Sequence, residues 1–344
     1  MMKNAPPSKP NPSKAMNETT QFLELPVHAF GSVAPLFADQ TMHLSVAAVL
    51  AGSAEGAVYV DDIAAPRLAV LEGPEGYYIG RDTSSAAARG GIDEIIPPWA
   101  YVYAPPQEEH GIPSTAQIYP CMLRHPRVCL TLDLSRWEAP PTPHGNDYLV
   151  EVTSEGVSIL KETGIVAWCR RDVILHERAE IGVGTSAAFR RLGLAKHAAA
   201  VYLQFLQGEG IRSVGWHCHL SNRGSRRLAE SLGFIPLRQY YAFSASLPAE
   251  NPGDLETSEL EAFGHHFAEA ATNVNWLDFH AAAAYAQAGR TDLALTCLER
   301  LVTGNWQGQA SWLVAHWALA PLAGEPRFQA CVTEQAQRRK VPAV

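Results

Sequence analysis

One short loop carries the residues best suited to bind a phosphate, Arg190-Arg191-Leu192-Gly193-Leu194-Ala195. Behind it, apolar residues recur at helical spacing and predict a helix that ends at Gly208. The first amides of a helix lack intrahelical partners and lie at the positive end of its dipole. Because Gly193 allows close approach and two arginines add charge, the loop is predicted to hold a pyrophosphate.

The segment before this loop, residues 179–185, alternates β-branched residues with small or polar ones and predicts a strand. Ile181, Val183 and Thr185 share one face, whereas Glu180 shares the other face with two glycines. Glycines inside a strand favour a bulge or a group lying close to the backbone. A ligand could therefore approach main-chain groups here.

The segment after the loop predicts a strand over residues 214–219 and then a second helix. Ser221 and Asn222 can cap that helix, and Gly233 fits the position just after its end. A further strand is predicted from Arg238 to Phe243. Upstream of the loop, three consecutive strands are predicted over residues 148–152, 156–160 and 164–169.

Gly182-x-Gly184-x-x-Ala187 also fits the fingerprint of a dinucleotide-binding site. That interpretation requires a helix that starts near Gly184 and an acidic residue at the end of the next strand. Gly193 instead interrupts the helix, and the next strand ends in His217-Cys218-His219. The context therefore disfavours a dinucleotide site.

Three motifs in this order resemble the GNAT N-acetyltransferase superfamily: Glu180 to Val183, Arg190-x-x-Gly193-x-Ala195, and Asn222 followed by Gly233-Phe234. The resemblance covers about residues 146 to 245. More loosely, His43 to Asp62 with this core resembles the branch named GNAT acetyltransferases, whose members include antibiotic-resistance enzymes. The implied fold is α/β (α+β), with a mixed, mainly antiparallel sheet flanked by helices.

The resemblance implies direct attack of an amine on the thioester of acetyl-coenzyme A or a longer acyl-coenzyme A. Glu180 is the implied catalytic base, and a salt-bridged structural carboxylate stays open as its alternative. Asn222 also has a plain capping role, which is compatible with cofactor contact. The implied cofactor-binding residues are Val183, Thr185, Arg190, Arg191, Leu192, Gly193, Leu194, Ala195, Asn222 and Ser225.

The sequence departs from the superfamily at one position. Many members carry a tyrosine four residues before the terminal glycine, where it protonates the departing thiolate, but this chain has Ala229. Tyr240, Tyr241 or a water could replace it. Since a thiol has a pKa near 8.5, its thiolate is a tolerable leaving group and turnover does not require the acid.

Metal and disulfide chemistry are not expected. His217 and His219 should share one face of a strand, but without a third ligand in register they are interpreted as structural or substrate-wall residues. The six cysteines include no Cys-x-x-Cys pair, which favours reduced thiols in a cytoplasmic protein.

The composition of the chain limits the kinds of molecule that the protein is expected to bind. A net charge of −8 without a long basic run argues against a nucleic-acid binder and weakly favours a cationic substrate. We expect neither a signal peptide nor a membrane span, because no apolar run approaches eighteen residues.

Four regions are predicted along the chain. Residues 1–20 are Pro- and Ser-rich and predict a disordered leader. Residues 21–145 are interpreted as a supporting or degenerate GNAT-like domain that walls the substrate site, and residues 146–250 as the catalytic domain. Residues 255–344 are predicted to be a helical tail, in which Trp276 to Val302 resembles a single tetratricopeptide hairpin.

Two functions remain open. The first is an N-acyltransferase, by default an acetyltransferase, acting on an amine of a small molecule or peptide, with an antibiotic-like molecule among the candidates. The second is a catalytically weak acyl-coenzyme A binder whose tail recruits a protein partner, motivated by Ala229 and the helical hairpin. The oligomeric state stays open.

Overall fold

The computed structural model describes residues 22–82, 92–97, 99–104, 122–140, 147–162 and 164–338. The predicted leader, residues 1–20, lies outside these ranges, as does Cys121. The fold below refers to the described residues.

The first part of the chain forms small strands with helices packed on them. The 3-10 helix Val27–Gln40 places Phe37 directly against β-sheet backbone, because a Cβ on Gly80 would lie 2.7 Å from its ring. The remaining elements here are β1 (Leu23–Glu24), α1 (Leu44–Leu50), β2 (Ala57–Val60), β3 (Leu68–Gly73), β4 (Gly76–Arg81), α2 (Ile92–Ile95) and β5 (Val102–Tyr103).

The second part contains the strands and helices predicted between residues 148 and 243, and one strand that was not predicted, β6. The strand predicted to end at Cys169 continues to Leu175. The elements are β6 (Leu123–Asp133), β7 (Leu149–Thr153), β8 (Gly156–Lys161), β9 (Gly164–Leu175), β10 (Arg178–Thr185), α3 (Leu194–Gly208), β11 (Ser213–His219), α4 (Arg223–Ser231) and β12 (Ile235–Ser244).

All strands in the described ranges join one sheet, in the order β1-β2-β3-β4-β5-β12-β6-β11-β10-β9-β8-β7. Only β4 with β5 and β10 with β11 run parallel among these neighbours. The predicted fold class, a mixed and mainly antiparallel sheet flanked by helices, is confirmed.

Strand β6 precedes the predicted motifs in sequence, yet it lies between β11 and β12. Leu130 is opposite Trp216 on β11, and Arg127 is opposite Tyr240 on β12. The Pro-rich run from Ala139 to Pro143 follows β6. The chain on either side of that run therefore contributes to the middle of one sheet.

Helix α3 covers one face of β8, β9 and β10 because its inner side is apolar along its length. Ala198, Tyr202 and Leu206 are buried in the same core as Val157 and Ile181. Burying each large apolar side chain contributes about 1.5–3 kcal/mol. This packing fixes the helix on the sheet with its first turn directed toward the ends of β10 and β11.

Both ends of α4 are set by local sequence. Asn222 Oδ1 accepts a hydrogen bond from Ser225 N at 2.9 Å and caps the helix. At the other end Gly233 adopts a left-handed φ of 96°, and Phe234 N donates to Ala229 O at 3.1 Å. This Schellman motif turns the chain directly into β12.

The C-terminal region is helical. Helices α6 and α7 coincide with the predicted hairpin from Trp276 to Val302, and Arg300 on α7 forms an ion pair with the buried Asp278 on α6. The likeness of this hairpin to a tetratricopeptide repeat stays a prediction. The helices are α5 (Thr257–Ala270), α6 (Leu277–Gln287), α7 (Thr291–Thr303), α8 (Ala310–Ala315) and α9 (Pro326–Arg338).

Candidate active site

A cleft opens where β10 and β11 separate. The two strands pair in parallel only from Arg178–Ser213 to Glu180–Gly215, although β10 continues to Thr185. Beyond Glu180, the edge of β10 that faces β11 has no strand partner in the described chain. An extended ligand can bind its free backbone groups as an added strand would.

A cavity of about 640 Å³ lies at the end of this cleft. All of the predicted cofactor residues except Leu192 line it, and Leu192 is 56 % exposed beside it. Sequence reasoning did not include the segment Glu250–Asp254, which lines the opposite side. Because this segment follows β12, only the folded sheet brings it to the loop at Gly193.

The loop before α3 has the geometry expected of an anion site. Arg191 and Gly193 both adopt left-handed φ values, 62° and 78°, and such turns direct successive amides to one side. A Cβ on Gly193 would meet no atom within 4 Å, so the space above it is open. With Arg190 and Lys196 also on the lining, these residues fit the diphosphate of coenzyme A.

Asn222 links this cavity to the segment after β12. Its Nδ2 donates to Glu250 Oε2 at 2.5 Å, while its Oδ1 accepts from Asn251 Nδ2 at 3.2 Å. The side chain is buried and therefore both caps α4 and fixes this wall. The two roles weighed for Asn222 in the sequence are compatible with this geometry.

Glu180 lies at the point where the strands diverge and is only 3 % exposed. Its Oε1 accepts a hydrogen bond from Leu44 N at 2.7 Å and lies 3.3 Å from His217 Nε2. That second distance suits an ion pair, although the ring N–H is not aligned for a hydrogen bond. The other oxygen, Oε2, is buried without a partner among the described residues.

A polar chain extends from Glu180 across the sheet. His217 Nδ1 is 2.8 Å from the Tyr240 hydroxyl, which accepts from Arg127 Nε at 3.1 Å. Burial lowers the pKa of His217, but Tyr240, Cys129 and Glu180 together outweigh it and raise this pKa well above its usual value. His217 is therefore protonated at neutral pH and is the partner of the Glu180 carboxylate.

Two carboxylates that the sequence did not single out lie near Glu180. Asp172 is the extra residue of a β-bulge, because the partners of Glu180 and Ile181 on β9 are Val173 and Arg171. Its carboxylate lies over β10, 3.2 Å from a Cβ built on Gly182.

The second carboxylate, Glu75, belongs to the turn between β3 and β4. Burial first, then Glu75 and Glu180, raise the pKa of Asp172 to about 7. Burial and Glu180 likewise raise the pKa of Glu75. The three carboxylates therefore interact electrostatically.

His43 completes this side of the cleft. Its ring stacks on His217 with centroids 5.3 Å apart, and burial, followed by His217 and Arg127, lowers its pKa well below the usual value. His43 is therefore neutral, and its buried Nδ1 has no partner among the described residues. The sequence does not predict this contact, because His43 lies far before His217 along the chain.

The other residues considered as a proton donor or as metal ligands lie in different surroundings. Ala229 is fully buried on the inner side of α4. Tyr240 contacts His217, whereas Tyr241 points to the other face, where the Arg124 guanidinium lies 4.3 Å from its ring. His219 Nε2 is 3.1 Å from the Tyr101 hydroxyl. In the ranges that the structure covers, no three His, Cys, Asp or Glu side chains converge to hold a metal.

The dinucleotide alternative is not compatible with the fold of this segment. Gly182 and Gly184 lie inside β10, and the next α-helix begins only at Leu194. A dinucleotide fingerprint requires the helix to begin within its glycine-rich turn.

Part of the chain is similar to known proteins. The family profile described as GNAT acetyltransferase matches residues 146–243. The uncharacterized N-acetyltransferase YdfB of Bacillus subtilis (strain 168) is 33% identical over 85 residues, which are 25% of this chain. The chain spans about a third, 32%, of the length of that curated relative.

Solved structures align with a larger part of the chain at lower identity. A GCN5-related N-acetyltransferase-like protein from Streptococcus suis 89/1591 has a TM-score of 0.47 and 18% identity, covering 63% of this chain and 98% of its own. A tandem GNAT protein from the clavulanic acid biosynthesis pathway has a TM-score of 0.44 and 11% identity, covering 65% of this chain and 97% of its own.

The profile match covers most of the strands and helices that form the cleft. Residues 146–243 are similar to the GNAT acetyltransferases, a class that uses acetyl-coenzyme A as co-substrate. Across the described part of the chain, every helix is too short or too polar to traverse a lipid bilayer.

Proposed function

We propose that this protein transfers an acetyl group from acetyl-coenzyme A to an amine. The observation that carries the proposal is the separation of β10 from β11 at Glu180, next to an anion-binding loop at Gly193. One end of the cleft suits the diphosphate and the other presents a buried carboxylate. A thioester carried between them lies within reach of an amine beside Glu180.

Val183 and Thr185 line the cavity on β10 and are proposed to pair with the pantetheine arm through their backbone. The Val183 amide is proposed to donate to the carbonyl oxygen as negative charge develops on it. Arg190, Arg191 and the amides from Leu192 to Ala195 are proposed to hold the diphosphate. Asn222 and Ser225 approach from the opposite wall.

The transfer begins with loss of a proton from the substrate ammonium to Glu180. For an amine with a lysine-like pKa, that deprotonation at pH 7 costs about 5 kcal/mol, so a nearby base accelerates the reaction. The amine lone pair then forms the C–N bond to the carbonyl carbon. The C–S bond breaks, and its electron pair leaves with the thiolate. The nitrogen then loses its second proton to solvent, which leaves a neutral amide.

The proton for the thiolate has no donor at position 229. Tyr240 is a better candidate than Tyr241, because only Tyr240 joins the network of Glu180 and His217. A water is the alternative. Since the thiolate is a tolerable leaving group, either donor is sufficient.

Each region of the chain has a proposed role. Residues 21–145 are proposed to wall the substrate site, which is supported by the bond from Leu44 N to Glu180. Residues 146–250 are the proposed catalytic unit and residues 255–344 a docking tail. An acetyl rather than longer acyl donor, an antibiotic-like or peptide amine as acceptor, and a cytoplasmic location are further proposals.

A second candidate, a weak acyl-coenzyme A binder that recruits a partner, is favoured by one observation. Trp99, Trp276, Trp306 and Trp312 line a cavity of about 730 Å³ at the helical region, and Trp312 is 54 % exposed. Exposed aromatic surface of this kind is typical of binding sites. Such a protein would bind the cofactor and release no thiol with any amine.

Calorimetric titration with acetyl-, hexanoyl- and palmitoyl-coenzyme A tests the proposal, using wild type, Gly193→Trp and Gly210→Trp. Gly193 and Gly210 have similar φ values, 78° and 84°, and each has open space around it. The two substitutions therefore impose similar backbone strain, but only Gly193 faces the cavity.

We expect tight binding of acetyl-coenzyme A that Gly193→Trp abolishes and Gly210→Trp retains. Acetyl-dependent thiol release with an amine then separates enzyme from binder. Absence of binding by all three donors contradicts both candidates, and equal loss in the two variants contradicts the assignment of the loop.

A further inference from the structure

We propose that the acceptor is an amine that carries a second positive charge, recognised by Glu75 and Asp172 while the reacting amine faces Glu180. This inference rests on the proposed acetyl transfer and adds the chemical class of the acceptor. It begins from three carboxylates that lie near one another on the face of the sheet opposite α3.

The carboxylates are held together by the start of α1. Leu44 N donates to Glu180 at 2.7 Å, and the hydroxyl of the next residue, Ser45, lies 3.4 Å from Glu75 Oε2. The Tyr78 hydroxyl is also 3.4 Å from Glu75 Oε2. Two carboxylates from distant parts of the sequence are therefore positioned by adjacent residues.

Asp172 is added by the bulge on β9. Its carboxylate lies above Gly182, which is on the same face of β10 as Glu180, and a Cβ at that position would be 3.2 Å from both carboxylate oxygens. Asp172 keeps access to solvent, whereas Glu180 is buried. The cluster therefore runs from a buried carboxylate to one at the rim.

The positive charges nearby do not balance this cluster. His217 is the partner of Glu180, and Arg127 is engaged with Tyr240. Within the described ranges, neither Glu75 nor Asp172 has a cationic side chain at ion-pair distance. Neighbouring carboxylates raise one another's pKa, and a bound cation would relieve their repulsion.

Two buried acceptor atoms independently indicate a missing hydrogen-bond donor. Glu180 Oε2 lacks a partner among the described residues, and so does His43 Nδ1. When the proton of neutral His43 is on Nε2, its Nδ1 accepts. An amine donates several N–H groups and can satisfy both atoms, whereas a hydroxyl donates one.

The cluster is too open to be a shared metal site in the part of the chain described, because no three ligating side chains converge. An extended organic cation spans separated carboxylates more readily than a single ion does. A diamine therefore suits the arrangement, with one nitrogen at Glu180 and the other between Glu75 and Asp172.

The test compares 1,4-diaminobutane with pentylamine, in which a methyl group replaces the second ammonium. Acetyl-dependent thiol release is followed with both amines, together with 1,3-diaminopropane and 1,5-diaminopentane. We expect kcat/KM to be at least about tenfold higher for the best diamine than for pentylamine, which corresponds to about 1.4 kcal/mol.

Glu75→Gln and Asp172→Asn should each lower this selectivity ratio by about three- to tenfold. Glu72→Gln is the matched control, because Glu72 belongs to the same hairpin but interacts with Tyr77 and Tyr59. The ratio should be unchanged in that variant.

Turnover of pentylamine as efficient as that of every diamine overturns the inference while leaving acetyl transfer intact. If no amine is acetylated, calorimetry of 1,4-diaminobutane decides. Binding that Glu75→Gln weakens and Glu72→Gln retains supports the cation site and contradicts the reaction. Absence of both turnover and binding contradicts the inference, and the coenzyme A titration then judges the proposed function separately.

Discussion

Replacing Glu180 with glutamine separates its catalytic role from its structural role. The amide oxygen of glutamine can still accept the hydrogen bond from Leu44 N, which is 2.7 Å long in the native protein. The change removes the negative charge 3.3 Å from His217 Nε2, in a pair whose side chains are both less than 5 % exposed. The side chain keeps its size and loses its ability to take a proton.

The expected loss follows from that chemistry. General-base catalysis contributes about 10²- to 10⁴-fold, or roughly 3–5 kcal/mol of activation free energy. Leaving a buried charge without its partner costs about 3–5 kcal/mol of stability, but His217 can lose its proton instead. Without Glu180 the pKa of His217 should fall, because this carboxylate is one of the groups that raise it. Above neutral pH the variant should therefore stay folded.

The assay is thiol release at saturating acetyl-coenzyme A from pH 7 to 9. Wild type should depend weakly on pH, while the rate of Glu180→Gln should rise about tenfold per pH unit as free amine becomes available. Affinity for acetyl-coenzyme A should change by less than about twofold, because Glu180 is not part of the cofactor cavity. Glu177→Gln, at an exposed carboxylate paired with Arg212, is the control.

A rate within about threefold of wild type at pH 7 refutes the assignment of Glu180 as the base. A large loss that does not depend on pH and accompanies a lower melting temperature refutes it equally. That result would assign Glu180 the structural role that the sequence left open.

Three further substitutions test the framework of the site. Burial lowers the pKa of His125 to about 4. The contribution of neutral His125 to the free energy of unfolding should therefore be complete above pH 6.5, and should fall by about 3 kcal/mol as the pH drops from 6.5 to 4. In urea unfolding across this range, the free energy of unfolding of His125→Gln should depend less on pH than that of wild type. Asn222→Ala should cost about 1–2 kcal/mol by removing the cap on Ser225 N, and should weaken acetyl-coenzyme A binding in calorimetry. Gly233→Ala should cost about 1–2 kcal/mol because of its φ of 96°, whereas Gly208→Ala, at ordinary φ, should be neutral or stabilising by thermal unfolding.

The parts of the site that could be predicted are those whose conformation is set by neighbouring residues. Gly193 introduces a left-handed turn before α3, and Asn222 caps α4 with its own side chain. Gly233 ends that helix three residues after Glu230 by the same kind of local rule. Such signals require no knowledge of distant partners, so the sequence alone predicted the elements around the cofactor cavity.

The acidic cluster could not be predicted in this way. Asp172 follows Arg170 and Arg171, a charged run that reads as the exposed end of a strand, and only the bulge turns its carboxylate toward Glu180. Glu75 lies in a two-residue turn, and its neighbouring residues do not indicate that it approaches Glu180. Their proximity depends on how α1 packs on β9 and β10, which no local pattern specifies.

Strand β6 was missed for a different reason. His125 and Pro126 interrupt the apolar alternation of its first half, and proline is unusual inside a strand with two neighbours. The partners of β6 are also far away in sequence. Its position depends on burial across the whole sheet, which a window of a few residues does not contain.

The position of β6 in the sheet affects how this protein folds during its synthesis on the ribosome. When residue 133 emerges, neither strand that will flank β6 has been synthesised, and both of its edges are open to other chains. Strand β6 cannot complete its pairing with β11 before His219 has left the exit tunnel, or with β12 before Ser244 has, and contacts of such separation form slowly. The segments before and after the Pro-rich run should therefore fold together rather than one after the other. If the chain is divided at this run, each half should be insoluble when expressed alone, and both halves should be soluble when they are co-expressed.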